Sequence, residues 1–472
     1  MKTASIAPEY QVWSQEEFGH AELPERRLRN RLKLVAARLA QSPGGTIPST
    51  MRSGAERQGA YGLLSSERFS YEAIQDSSHR ATMSRLQGQS IAFVPIDGSA
   101  LKLTDKKKCK GLGSIGTRKA GARGLKSMSA QVVDAQGTPL GLCAQMLWTR
   151  GACRYRRGSA SKRRVQDKET RYWLEALRKS REKFRLYGGA SVPWFQLDRE
   201  ADSWPVLLEA LEPGQFLTVR SNHNRKLKGG EHPYLWDAVQ AAPILGYCTL
   251  AVRPGPGRTG RTALMELRSC QVTLDMKDSW RKKRYEVSLY ALWTRECSPV
   301  PAGEKPVEWK LLSTYPIHSL EDASLVVFGY AQRWRVEEFH HTWKSGACRV
   351  EDTQLRSLQS ILKWVALQAA VAMRIERIKY RSRTEPQLPA TEEFSREEID
   401  AVRLLKGDRR YKSRSIPTLG QLTLWLAELG GYTGKSSGGP PGTIVLRRGL
   451  QRVEPVVQAI HNLKIFNENP NM

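Results

Sequence analysis

Two short apolar runs, each closed by an aspartate, constrain this chain more than any other feature: "IAFVPID" (91–97) and "SVPWFQLD" (191–198). Runs of that length, bounded by turn residues, read as buried strands. Between them lie two apolar stretches around the turn signal "DAQGTP" (125–149), a hairpin, and a helical stretch at 165–187. Strands alternating with helices predict an α/β domain, with each aspartate emerging from a sheet edge into a cleft. Pro95 and Pro193 resist this, because central strands make poor use of a residue lacking an N–H. Each acid also has a local alternative. Asp97 could start a turn with Gly98-Ser99, and Asp198 could cap a helix in "READSWPVLLEAL", with Asp202 as its rival.

Residues 216–315 are β-rich ("QFLTVRS", "GYCTLAV", "TALMELRSCQVTLDM", "RYEVSLYALWT") and interrupt the alternation, so they are expected to form an inserted subdomain. After 347 the chain looks helical to about 380, and the polar link 382–395 leads to a last helical domain. At the other end, 25–41 is a basic helix with an apolar stripe of Leu28, Leu32, Val35 and Leu39. A second small helix, 54–64, is expected to pack through Tyr61 and Leu64. The predicted division is 1–80, helical and DNA-binding through Arg26, Arg27, Arg29, Arg31 and Lys33; 81–215, core; 216–317, β-rich insertion; 318–375, core again; and 376–472, helical and dimerising.

Charge supports a polyanionic partner: 75 Lys+Arg stand against 47 Asp+Glu, a formal net charge of +28. Basic runs recur at 106–110, 156–164, 281–284 and 409–414, and residues 102–126 carry nine bases against one acid, directly after Asp97. Bases piled beside a carboxylate suit phosphate held near a metal. Seven scattered cysteines without a CxxC suggest neither zinc nor disulfides, and no run has signal-peptide or membrane-spanning length, so a cytoplasmic protein without membrane contact is expected. "GGYTGKS" (430–436) has three residues rather than four between Gly430 and Gly434, so it is no Walker motif and no nucleotide cofactor is expected.

The stretch "YAQRWRVEEFHHTWKSG" (330–346) reads as part of one helix that starts at a Ser319/Asp322 capping box and stops at Gly346. At about 100° per residue, Tyr330, Arg333, Trp334, Glu337, His341 and Lys344 share one stripe, while Val336, Phe339 and Trp343 face the packing side. Glu338 lies off both faces, solvated or paired with a base. His340 and His341 point apart and are expected to meet phosphate or nearby acids. On these residues alone, Glu337 serves equally as a metal ligand or as a surface partner of Arg333 and His341. Taken with Asp97 and Asp198, it completes three oxygen donors without cysteine, a set that suits Mg²⁺ or Mn²⁺. Two such ions about 3.5–4 Å apart would serve phosphodiester chemistry.

The Tyr-x2-Arg-x3-Glu-x6-Lys spacing of Tyr330, Arg333, Glu337 and Lys344 resembles the signature of the DDE transposases of bacterial insertion sequences, the IS-four group. "VPIDGS" (94–99) and "LDREAD" (197–202) resemble that family's aspartate motifs, and "RLAQSPGGTIPSTMRSGAERQGAYGLL" its end-recognition domain. The likeness runs from about residue 12 to 375. It implies an RNase H-like mixed-sheet core with a β-rich insertion and helical terminal domains. It also implies two Mg²⁺ (or Mn²⁺) ions per active site held by Asp97, Asp198 and Glu337, and phosphate held by Tyr330, Arg333 and Lys344. Trp334 and Trp309 would stack a flipped base. The implied partners are double-stranded DNA, both element ends and target, and a second copy in a synaptic homodimer, in the bacterial cytoplasm at the nucleoid. The transposon-five branch carries two tryptophans after the Arg-Gly where this chain has Leu125 and Lys126, so that branch's handling of a DNA hairpin does not transfer whole.

Overall fold

The computed structural model describes residues 8–105, 110–116, 121–151, 163–255, 257–407, 415–435 and 439–468, with backbone alone for 8, 9 and 465–468. Cys109, Cys153, the basic run 409–414, most of those at 106–110 and 156–164, and Ser436 of "GGYTGKS" lie outside the described residues.

The chain opens on α1 (Pro8–Phe18), α2 (Arg26–Gln41), the single turn α3 (Ile47–Thr50), α4 (Gly54–Ser65) and α5 (Tyr71–Ser84). The starts of α3 and α4 follow from local chemistry: Thr46 and Ser49 form a capping box, and Ser53 accepts from the Glu56 N–H. Leu32, Val35 and Leu39 are buried, as their spacing predicts, while Leu28 is half-buried. Tyr61 departs from expectation, being 45% exposed. The inner face of α4 is Glu56, Ala60, Leu63 and Leu64, and position 61 lies about 100° round the helix from Ala60.

Ten strands form one mixed sheet. They are β1 (Ile91–Lys102), β2 (Gly113–Ser114), β3 (Arg123–Val133), β4 (Pro139–Trp148), β5 (Val192–Leu197), β6 (Phe216–Arg220), β7 (Ile244–Val252), β8 (Arg261–Asp278), β9 (Lys283–Glu296) and β10 (Glu308–Ser313). The order is β2-β3-β1-β5-β6-β10-β9-β8-β7, with β4 also on β3. Three short-to-medium helices fall between strands: α6 (Thr170–Tyr187), α7 (Trp204–Glu209) and α8 (Leu235–Ala241). The β-rich interval therefore joins the main sheet, added to β6 through β10, a strand that hydropathy alone does not mark.

Both prolines are accommodated in central strands. The β1–β3 ladder pairs Phe93 with Val133 and Ile96 with Ala130 but is interrupted between them, where Pro95 lies. In β5, the Val192 N–H points to β1, donating to the Ser90 carbonyl, so position 193 faces β6. Pairing with β6 begins only at Trp194, and no donor is missed.

Strand alternation then decides which side chains meet which helices. Ala92, Val94 and Ile96 of β1 and Phe195 and Leu197 of β5 pack with α6 and α7 residues. Phe93 and Trp194 face the other way, against α9 (Leu320–Ala331). After α9 comes α10 (Trp334–Lys344), so the single helix expected over 319–346 is two. The capping box at Ser319 and Asp322 is present. At the break, Gln332, Arg333 and Arg335 donate to carbonyls three residues back, a tightened turn that changes the helix axis.

The 27-residue α11 (Leu358–Thr384) packs on α10, α5, α4 and β4, and α12 (Arg396–Lys406), α13 (Leu419–Leu429) and α14 (Thr443–Glu468) complete the chain. "GGYTG" is the end of α13: a side chain at Gly430 would meet the Val445 carbonyl of α14. No helix among the described residues is long and apolar enough to cross a membrane.

Candidate active site

β1, β5 and β6 are parallel neighbours, registered Ile96 to Leu197 and Leu197 to Val219. One step further brings Asp97, Asp198 and Arg220 to the same level, on strands roughly 4.8 Å apart. By alternation both aspartates project on the α9–α10 side. Asp97 is not at a strand end, as expected from the sequence, but inside β1. Its parallel partner stops at Ile96, while Asp97 and Gly98 stay paired with Ser129 and Met128, so Gly98-Ser99 makes no turn. Asp198 makes no capping bond. Its rival Asp202 is buried and held by Arg225 at 2.6 Å and the Asn222 N–H at 2.6 Å, which ties together the loops after β5 and β6.

Glu337 comes from the first turn of α10. The Arg333 guanidinium joins it to the first strand, 2.6 Å from the Glu337 carboxylate and 3.7 Å from that of Asp97. Burial raises the Asp97 carboxyl to about 7; Arg333 and the Gly98 N–H oppose this, and the charges of Glu337 and Asp198 add to it. Burial works against the charge of Arg333, yet Tyr330, Asp198 and Glu337 hold its pKa above the ordinary arginine value. Lys344 donates to Ser99 Oγ at 3.3 Å, back on β1. Tyr330 is buried, edge-on to Trp309 with centroids 5.0 Å apart, and burial lifts its phenol to about 12. Trp334 is exposed, with the Arg333 guanidinium 5.8 Å from its ring.

Tyr330, Arg333, Trp334 and Trp309 line one cavity of about 630 Å³ between the helix break and β7. Its wall adds Arg220, Arg253, Arg258 and Arg335, which sequence reasoning missed. A signal existed for Arg220, which closes the apolar run "QFLTVR" as the aspartates close theirs.

Two neighbours of Glu337 behave differently from expectation. Glu338 is not solvated: Arg253 (2.7 Å), Arg335 (3.0 Å) and Lys379 (3.7 Å) surround it, and these bases outweigh its burial to lower its pKa. His340 meets neither phosphate nor acid. It is buried against Ser129 Oγ at 3.2 Å, in a polar chain that continues to Gln145 and Gln75, and burial drops its pKa to about 3, leaving a neutral ring. That chain fixes α10 across β3, β4 and α5.

Among the described residues, no three His, Cys, Asp or Glu stand close enough to hold a metal ion as placed. The donor chemistry nonetheless fits one. Three carboxylates converge from β1, β5 and α10, their mutual repulsion contributes to the raised Asp97 pKa, and a guanidinium stands where a cation would relieve it. In the N-terminal helices, Arg26 and Arg27 are exposed. Arg31 donates to the Ala55 carbonyl at 3.1 Å and Lys33 to Gln15 at 2.8 Å, and Arg29 is half-buried.

Comparison with known families divides along the same lines. Residues 10–69 match the family model of the transposase DNA-binding domain, and residues 150–374 that of the transposase DDE domain. The second interval holds Asp198 and Glu337 and most of the sheet, and Asp97 precedes it. A DDE domain implies an RNase H-like core, which the mixed sheet with helices on both faces satisfies. With a DNA-binding module ahead of that domain, the chain belongs to the DDE transposases.

Proposed function

We propose that the protein is a cut-and-paste transposase of the IS-four group, close to the transposon-five branch. Water attacks at the element's end and frees a 3′-hydroxyl; that hydroxyl attacks the opposite strand to give a hairpin, water reopens it, and the freed end joins target DNA. Asp97, Asp198 and Glu337 would hold two divalent ions, Mg²⁺ or Mn²⁺. Bound there, such ions activate the attacking oxygen and stabilise the leaving one. Arg333, Lys344 and Tyr330 position backbone phosphates, and Trp334 and Trp309 receive the flipped base, with stacking worth about 1–3 kcal/mol. Arg26, Arg27, Arg29, Arg31 and Lys33 hold the end DNA. The reading keeps the domain division given above, with residues 376–472 pairing two copies on DNA. The single observation that carries it is the convergence of three carboxylates from three elements, bridged by Arg333, beside a cavity walled by arginine and tryptophan.

A strand-resolved cleavage assay with Mg²⁺, on DNA from the borders of the element encoding this chain, tests it. A free 3′ end, then a hairpin and a joined product, is expected. Nicking that never proceeds to joining would favour a nuclease, and specific binding without a cut an inactive DNA-binding descendant. In the same assay Arg333→Ala should depress hairpin formation about tenfold more than end binding, by loss of a charge-assisted phosphate contact. Equal losses would remove Arg333 from the cleaved end.

A further inference from the structure

Away from the cleft, one buried cation has no acid beside it. Lys363 of α11 is fully buried, and its Nζ donates to the Ser66 carbonyl, just past the end of α4. Gln359, one turn earlier, donates to the same oxygen at 3.0 Å. The Phe69 ring centroid is 3.8 Å from the ammonium, and burial alone draws its pKa down to about 8. The last carbonyls of a helix find no partner within it. Here two donors from another element close on the chain as it leaves α4.

The same stretch of α11 grips the active helix. Two residues past Lys363, the Val365 carbonyl accepts the indole N–H of Trp343 at 3.0 Å, and Trp343 is fully buried on α10, below Glu337. Residues 359–365 therefore hold the DNA-reading helices on one side and the helix carrying Glu337 on the other. Successive nucleotides along one strand are about 3.4 Å apart, so slack of that size would bring the wrong phosphodiester to the carboxylates.

We infer that the Lys363–Gln359 clamp on Ser66 sets cutting register: it fixes the distance between the N-terminal DNA-reading helices and the carboxylates and thereby selects the bond that is cut. Lys363 is a positioning residue, and the inference rests on the proposed function. A merely stabilising lysine makes a different prediction. Burying an ammonium without a carboxylate is unfavourable, so a methionine of similar length should hold the fold at least as well.

The test compares wild type, Lys363→Met, Lys363→Arg and Gln359→Leu on end-labelled border DNA, mapping cuts to the nucleotide, with footprinting and thermal unfolding in parallel. Lys363→Met should melt no lower than wild type and protect the same base pairs. Its cut at the wild-type position should fall about tenfold, as loss of one charged hydrogen bond implies, with new cuts at neighbouring bonds. Lys363→Arg should restore the single cut, and Gln359→Leu should spread it less. A Lys363→Met protein that cuts only at the wild-type bond, at the wild-type rate, overturns the clamp. So does a parallel loss of melting temperature, binding and cutting. If Lys363→Met does not fold, Gln359→Leu decides, and a single unchanged cut there overturns it. Wild type that binds without cutting sinks the proposed function and the clamp with it, whereas a failure confined to the variants sinks the clamp alone.

Discussion

Glu337→Ala should bind end DNA as wild type does and fail to cut it. Glu337 is partly exposed on the first turn of α10, and its only printed bond is to Arg333, so the helix does not depend on it. Val336, Phe339 and Trp343 hold α10 in place. What disappears is one of three oxygen donors, with several kcal/mol of transition-state stabilisation, or on the order of a thousandfold in rate. Strand-resolved cleavage alongside a binding isotherm checks this, and unchanged cutting would remove Glu337 from the triad. Glu338→Ala makes a useful contrast one residue on. It strips the partner from Arg253, Arg335 and Lys379 and should lower melting temperature as well as activity, which Glu337→Ala should not.

The second large effect lies in the DNA-reading helices. Arg38 and Glu56 are both almost fully buried, joining α2 to α4 at 3.0 Å, and Glu56 also accepts the Arg52 N–H at 2.9 Å. Burial opposes the Glu56 charge, but the Arg38 and Arg52 bonds win and lower its pKa below 4.5. Glu56→Ala would leave a buried guanidinium without its acid, a loss of about 3–5 kcal/mol. Denaturant unfolding should report that loss, and end binding should fall with it. A depressed carboxylate pKa contributes stability that is complete above the unfolded value and vanishes as pH falls through the folded one. The gap between wild type and variant should therefore hold at neutral pH and narrow below about pH 4.5. A gap that widens in acid would contradict the assignment.

Much of the fold and site is legible because the relevant rules are local. Alternation along "IAFVPID" and "SVPWFQLD" already assigns Asp97 and Asp198 to one face, and the hydroxyl caps announce α3, α4 and α9. What is hidden depends on distant partners. No Gly or Pro marks the break at Gln332-Arg333. It arises because α9 lies on β5, β7 and β8 while α10 lies on β1 and β3, so the chain must change axis between them. Glu338 and His340 fall off the predicted stripe, and only Arg253 and Ser129, far away in sequence, explain where they go. Arg220 looks like any base at a strand end until the β5–β6 register lines it up with the aspartates.

The apolar cluster that holds α2 and α4 has a consequence for how the protein is made. Leu32, Val35 and Leu39 share it with Trp364 and Leu367 of α11 and with Leu446 and Leu450 of α14. During synthesis these first helices leave the ribosome long before the segments that cover them. Contacts so distant in sequence form slowly, and the uncovered surface is open to aggregation and chaperone capture meanwhile. Maturation therefore waits on the carboxyl-terminal third, and a translation product that stops short of it leaves its earliest helices without their lid.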